Sequence, residues 1–175
     1  MILPSLDRSA ASSTLAAGAV TGPRRRELGL VALTALMAYS TAVGWQAQLV
    51  SYPLYRAVGA EDFLAYHAQY SRAIPVVVIV PGFLSFLAGV AFPWTRPAWV
   101  PARVARLVAA AGAVSLVSTV GWAIPMHDLL DRIGPDAATI DSLLSANLVR
   151  SLSLTAGTIA LAGLVAGRAC RSTEG

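Results

Sequence analysis

Four long apolar runs, none containing a charged residue, constrain this 175-residue chain more than any other feature: 28–50, 73–95, 107–126 and 151–167. A helix rises 1.5 Å per residue, so about 20 apolar residues cover a hydrocarbon core of roughly 30 Å. The first three runs reach that length. The fourth is shorter, and residues 142–149 extend it backward past the single charge of Arg150. The expected fold is all-α, a four-helix transmembrane bundle. Residues 1–27 and 169–175 would be tails outside a membrane domain at 28–168. With 56% apolar and 13% charged residues, nothing remains for a soluble catalytic domain.

The net charge of +4 does not point to nucleic acid, because no basic stripe interleaved with aromatics is present. The basic residues are all arginine and sit near span ends. If the amino terminus is cytoplasmic, Arg8, Arg24, Arg25, Arg26, Arg96, Arg103, Arg106, Arg168 and Arg171 lie inside. Arg56, Arg72, Arg132 and Arg150 lie outside, which fits the positive-inside rule with both termini cytoplasmic. The expected location is the cell (inner) membrane, as a multi-pass protein. Both histidines and six of the nine acids fall on the outer side. Arg24-Arg25-Arg26 before an apolar run resembles a secretory signal, but a run of 23 exceeds a signal core of about 7–15 residues. An uncleaved signal anchor fits better. The single cysteine, Cys170, excludes an internal disulfide.

Polar residues inside the spans carry the functional information. On the first span Thr34, Thr41 and Gln48 recur every seven residues beside Trp45 and Tyr52, a stripe that either bonds to another helix or lines a cavity. The second helix should start near residue 60, with Glu61 and Asp62 in its first turn, where the macrodipole favours acids. Phe63, Tyr66, Tyr70 and Ile74 mark one face of it. Pro75 should kink this helix, and Pro81 should leave the carbonyl of Val77 short of a partner. The segment 93–101 reads as a tight turn with tryptophans at headgroup level. On the third span Ser115, Ser118, Thr119, Trp122 and Met126 form another polar-tinged face, and the span should end at Pro125-Met126-His127-Asp128. A loop containing Gly134-Pro135 should follow it to Asp141. Asn147 and Arg150, three apart, share a face of the last span. An intramembrane arginine is costly and by default faces the bundle interior with a partner.

The outer span ends together offer Gln48, Tyr52, Tyr66, His67, Tyr70, Trp122, His127, Asn147 and Arg150. His67 and His127 are candidates for proton transfer or metal ligation. With Glu61 or Asp128 they would form a two-His, one-carboxylate set suited to iron or copper. On an ideal helix, however, His127 points about 100° away from the Ser115–Trp122 stripe. Arg150 and Asn147 either bind an anionic or carbonyl oxygen, or Arg150 pairs with Asp128 or Asp141 and locks the bundle. Tyr66 and Tyr70 are either interface anchors or proton donors. Trp45, Gln48, Tyr52 and Trp122 are candidates for substrate contact.

Gln48-Leu49-Val50-Ser51-Tyr52-Pro53-Leu54-Tyr55, Phe63-Leu64-Ala65-Tyr66-His67, Arg72 ahead of Pro81, Pro125-Met126-His127-Asp128-Leu129-Leu130 and Leu144-Ser145-Ala146-Asn147-Leu148-Val149-Arg150-Ser151 resemble a family of small four-span bacterial membrane proteins. More distantly the chain is similar to the anthrone-oxygenase-like membrane proteins, which also carry Asn-x-x-Arg near the last span. The resemblance implies a tailoring enzyme of natural-product biosynthesis that oxidises a small metabolite. It also implies His67, His127, Asn147 and Arg150 as the shared polar set. Leu148 and Ser151 stand where that family often shows Trp and Thr, so the substrate stays open. The cofactor is likewise open between none and iron or copper. Expected partners are the bilayer, a small-molecule substrate, and a second copy or a partner enzyme. The alternative is a non-catalytic accessory, partner-subunit or export-related protein. The topology has its own check: a reporter fused after Gly175 should be active only on the cytoplasmic side.

Overall fold

The computed structural model describes the backbone of residues 8–173 and the side chains of 22–171. No strand occurs among the described residues, and four helices are long and apolar enough to cross a membrane: Gly22–Ala57, Ala60–Thr95, Ala102–Ile133 and Ala137–Arg171. They form the expected all-α bundle. Each span packs on its sequence neighbours, and the fourth closes on the first. At 32 to 36 residues the spans are about 50 Å long, so all of them outrun the hydrocarbon core.

The boundaries differ from expectation in three places. Backbone is already helical at Arg8, the first described residue, and stays so through Pro23, so no break marks residue 27; residues 1–7 and 174–175 lie outside the described residues. The third helix does not end at Pro125 but continues to Ile133. The fourth begins at Ala137, because Asp136 caps it: its Oδ2 accepts the Thr139 N–H at 2.8 Å and the Thr139 hydroxyl at 2.7 Å. These bonds from Thr139 hold the Asp136 carboxyl below the usual carboxylate range. The expected loop of 128–141 therefore shrinks to a turn at Gly134, whose φ of 82° is one that glycine adopts without strain. The second helix starts at Ala60 with Glu61 and Asp62 in its first turn, as expected.

Two cores stack along the bundle. One gathers Leu30, Leu33, Met37, Phe86, Val108, Leu154 and Leu161. The other, richer in aromatics, gathers Tyr52, Tyr55, Phe63, Leu130, Ile140 and Leu143. Between them lies a layer of buried polar residues that includes Ser115, Thr119, Asn147, Arg150 and Ser151. The ends differ in charge. Beyond the first core stand Arg24–Arg26, Arg96, Arg103, Arg106, Arg168 and Arg171, with Glu27 as the one acid among the described residues there. Glu27 accepts the Trp99 indole N–H at 2.6 Å, and the Arg168 guanidinium lies 5.4 Å over the Trp99 ring. The histidines lie at the opposite end, within the second core.

Spans two and three cross at closest range where Gly89 faces Gly112. A Cβ on Gly112 would sit 2.6 Å from the Phe86 carbonyl and 3.1 Å from the Val90 amide nitrogen. Backbone cannot yield as a side-chain tip can, so Gly112→Ala should destabilise by about 1–3 kcal/mol. Gly29, where a Cβ meets nothing within 4 Å, should tolerate alanine without loss. Thermal unfolding of the two variants in detergent checks both.

Candidate functional site

Three of the four spans contain a π-helical turn, and all three follow one pattern. The turns are Ala47–Ser51, Pro75–Ile79 and Thr119–Ala123. Two residues beyond the last residue of each turn the helix carries a proline: Pro53, Pro81 and Pro125. The residue before the proline donates its N–H five back, Tyr52 to Ala47, Val80 to Pro75 and Ile124 to Thr119. A proline ring displaces the carbonyl four residues behind it and offers that carbonyl no donor. The wider turn accommodates this, and the expected orphan carbonyl of Val77 is met by the Tyr39 hydroxyl at 2.9 Å.

Each π turn adds one residue and rotates everything beyond it by about 100°. On the third span that rotation cancels the 100° by which an ideal helix turns His127 away from the buried Ser115 face. His127 thus reaches the interior. Ala47, Ile79, Thr119 and Ala123, one or more from each π turn, wall a cavity of about 190 Å³. Its polar lining includes Tyr52, Tyr70, His127, Asp131 and Arg150. At about 30 Å³ per water, the space equals roughly six waters.

His127 is the last ring of a hydrogen-bonded chain. The His67 Nδ1 lies 2.6 Å from Asp131 Oδ1, His67 Nε2 lies 3.0 Å from His127 Nδ1, and His127 Nε2 lies 3.3 Å from the Tyr52 hydroxyl. An ionised carboxylate only accepts hydrogen bonds. With Asp131 ionised and both rings neutral, His67 donates from Nδ1 to Asp131 and accepts at Nε2 from His127 Nδ1–H. The His127 Nε2 is then left with its lone pair toward Tyr52 and the cavity. His67 is fully buried among Phe63, Tyr55 and Tyr70, whereas the Asp131 side chain is 45% exposed. The chain therefore joins the cavity face of His127, through buried His67, to the half-exposed carboxylate of Asp131.

Arg150 closes the opposite wall and is only 6% exposed. One guanidinium nitrogen donates to Asn147 Oδ1, and the other lies 3.4 Å from Thr119 Oγ1. Asn147, fully buried, donates from Nδ2 to the Gly44 carbonyl at 3.0 Å and to Gln48 Oε1 at 2.8 Å. The ion pair with Asp128 or Asp141, one of the two alternatives, does not form. Asp141 pairs with Arg56 instead, and no carboxylate among the described residues lies within ion-pair distance of Arg150. The guanidinium is a buried cation held by neutral oxygens, with its charge unspent.

Four of the ten candidate residues line the cavity: Tyr52, Tyr70, His127 and Arg150. His67, Asn147 and Gln48 stand behind them. Three point elsewhere. Trp45 donates to Thr155 Oγ1 at 2.9 Å, so the first-span stripe above Tyr52 serves interhelical bonding, as does Thr41 with Thr158. Trp122 is exposed and donates to Ser142 Oγ at 2.8 Å, because the π turn swings it outward as it swings His127 in. Tyr66 is 36% exposed, edge-on to Tyr55. Asp131 is the residue that sequence reasoning missed as a site member; its spacing of four from His127 on one helix was the available signal.

The carboxylate that meets the histidines is thus neither Glu61 nor Asp128. It engages the far nitrogen of His67 while the two near nitrogens face each other. Among the described residues no group of three or more His, Cys, Asp or Glu is arranged to hold a metal ion.

No family model, curated protein or solved structure matches the chain. The chemistry has to come from the geometry. Replacing even a buried ion pair by apolar side chains of similar volume is often neutral or stabilising by about 1–4 kcal/mol, and a guanidinium without a counter-ion has less attraction to lose. Arg150→Met should therefore unfold no more easily than the parent in detergent, whereas a structural latch would lose stability.

Proposed function

We propose that this protein is a membrane-embedded enzyme that takes a proton from a small metabolite while holding one of its oxygens on Arg150. The observation that carries this reading is the Asp131–His67–His127 chain, which ends on a cavity shared with an arginine that has no carboxylate partner. A substrate carbonyl or phenolic oxygen supplies the acceptor that the guanidinium lacks, and charge-assisted bonds of this kind are among the strongest available. The His127 Nε2 removes a proton adjacent to that oxygen. Its Nδ1–H passes to His67, and the His67 Nδ1–H passes to Asp131 and on to water. Asp131 fixes the tautomers, as the carboxylate does behind a catalytic histidine. Tyr52 and Tyr70 orient the bound molecule.

The anion formed is delocalised and electron-rich, the species that oxidative tailoring consumes. This connects the site with the redox role that the resemblance to anthrone-oxygenase-like proteins implies. The arginine-rich end faces the cytoplasm in this proposal, with the histidine end toward the far side of the cell membrane.

An accessory role has one observation in its favour. Asn147 and Arg150 tie span four to spans one and three through Gly44, Gln48 and Thr119. The two roles part in one experiment. Metabolite profiles of cells expressing the parent or His127→Gln identify a compound consumed only by the parent, and that compound is then assayed in proteoliposomes. Loss of a general base costs about 10²–10⁴-fold, so His127→Gln should fall by that factor and Asp131→Asn by less, with normal folding. Trp45→Phe should retain full rate. Equal profiles for parent and His127→Gln would remove the enzymatic role.

A further inference from the structure

A second concavity lies at the other end of the molecule, remote from the histidines. It is a groove of about 440 Å³ between the start of the first span and the end of the second. Its floor is apolar: Leu30, Leu33 and Phe92 are buried beneath it. Small residues, Gly29 and Ala88, keep it open, and a Cβ at Gly29 would meet nothing within 4 Å.

The rim carries Arg25, Arg26, Trp94 and Thr95. Arg25 makes no hydrogen bond or ion pair among the described residues. Arg26 spends one nitrogen on the Arg96 carbonyl at 3.4 Å and keeps the rest of its fork. Among the described residues no carboxylate neutralises them: Glu27, the one described acid at this end, is engaged by Trp99. Trp94 is 75% exposed beside the groove, the placement of an indole at headgroup depth.

We infer that this groove binds an anionic phospholipid, with the phosphate on Arg25 and Arg26 and one acyl chain lying over Gly29 against Leu33 and Phe92. Charge complementarity selects the headgroup, since two guanidinium groups without a carboxylate partner among the described residues favour a phosphodiester without a compensating ammonium. The apolar floor selects a lipid over free phosphate, because a headgroup alone leaves it uncovered. The site is independent of the catalytic proposal. The lipid seated there spans spans one and two at a place where their own side chains are too small to fill the gap.

The test uses the full chain in neutral detergent, with native mass spectrometry and thermal unfolding as readouts. The probes are dioleoylphosphatidylglycerol and dioleoylphosphatidylcholine, which share acyl chains. The parent should retain the glycerol lipid at least tenfold better and be stabilised by it. Arg25→Gln with Arg26→Gln should abolish that preference, while Arg103→Gln with Arg106→Gln, the same charge change elsewhere at this end, should keep it. Gly29→Leu fills open space, leaves both arginines and should also abolish retention. Bromination of the acyl chain gives a second measurement on the parent, quenching the fluorescence component that Trp94→Phe removes. Equal retention of both lipids, full retention by Gly29→Leu, or displacement by millimolar inorganic phosphate would each overturn the proposal.

Discussion

Inside a bilayer every backbone donor and acceptor must find its partner within the protein, and the rest of this structure depends on how three helices meet that demand at their prolines. Pro53, Pro81 and Pro125 each remove a donor and push back a carbonyl. Each is preceded by a π turn that shifts bonding to five-residue spacing. At Val77 the remaining carbonyl is served from another span, by Tyr39. Because the three turns contribute walls to one cavity, local repair of the backbone becomes a global feature. The hollow exists where three helices are locally overwide, and the turn on the third span rotates His127 into its lining.

Charge distribution follows a second economy. A buried guanidinium is costly without an anion, and Arg150 has only the amide oxygen of Asn147 and the hydroxyl of Thr119. Asn147 is itself held from behind by Gly44 and Gln48, so the guanidinium is positioned rather than neutralised. Across the cavity, Asp131 is bound to His67, and His127 joins Asp128 and Asp131 at the wall. Arg150 and the carboxylates of Asp128 and Asp131 thus line one cavity without pairing with one another. An arrangement built only for stability would have brought them together.

The spans, their order and the inward direction of Asn147 and Arg150 were legible in the sequence because each depends on hydropathy or on spacings of three and four within an undisturbed helix. The interhelical role of the first-span stripe was legible as one of two alternatives, and Trp45 with Thr155 decides it. What failed is anything that projects a helical wheel across a π turn. Trp122 was placed on the Ser115 face and stands outside; His127 was placed off that face and stands inside. One inserted residue accounts for both. Asp131 was missed because the third helix was ended at Pro125, which put it in a loop where spacing carries no meaning. The proline looked like a terminus, and the turn before it makes it a passable residue.

The contact of Gly89 with Gly112 has a mechanical consequence. Spans two and three touch backbone to backbone there, well to the arginine-rich side of the π turns, so the pair has a fulcrum. From Gly112 to Ala123 is a lever of about 16 Å, along which a tilt of roughly 6° displaces the cavity wall by about 1.7 Å. Aperture at the histidine end can therefore change through a few degrees of rocking, and the other arm of span three, about 15 Å from Gly112 to Ala102, swings the opposite way by a similar amount.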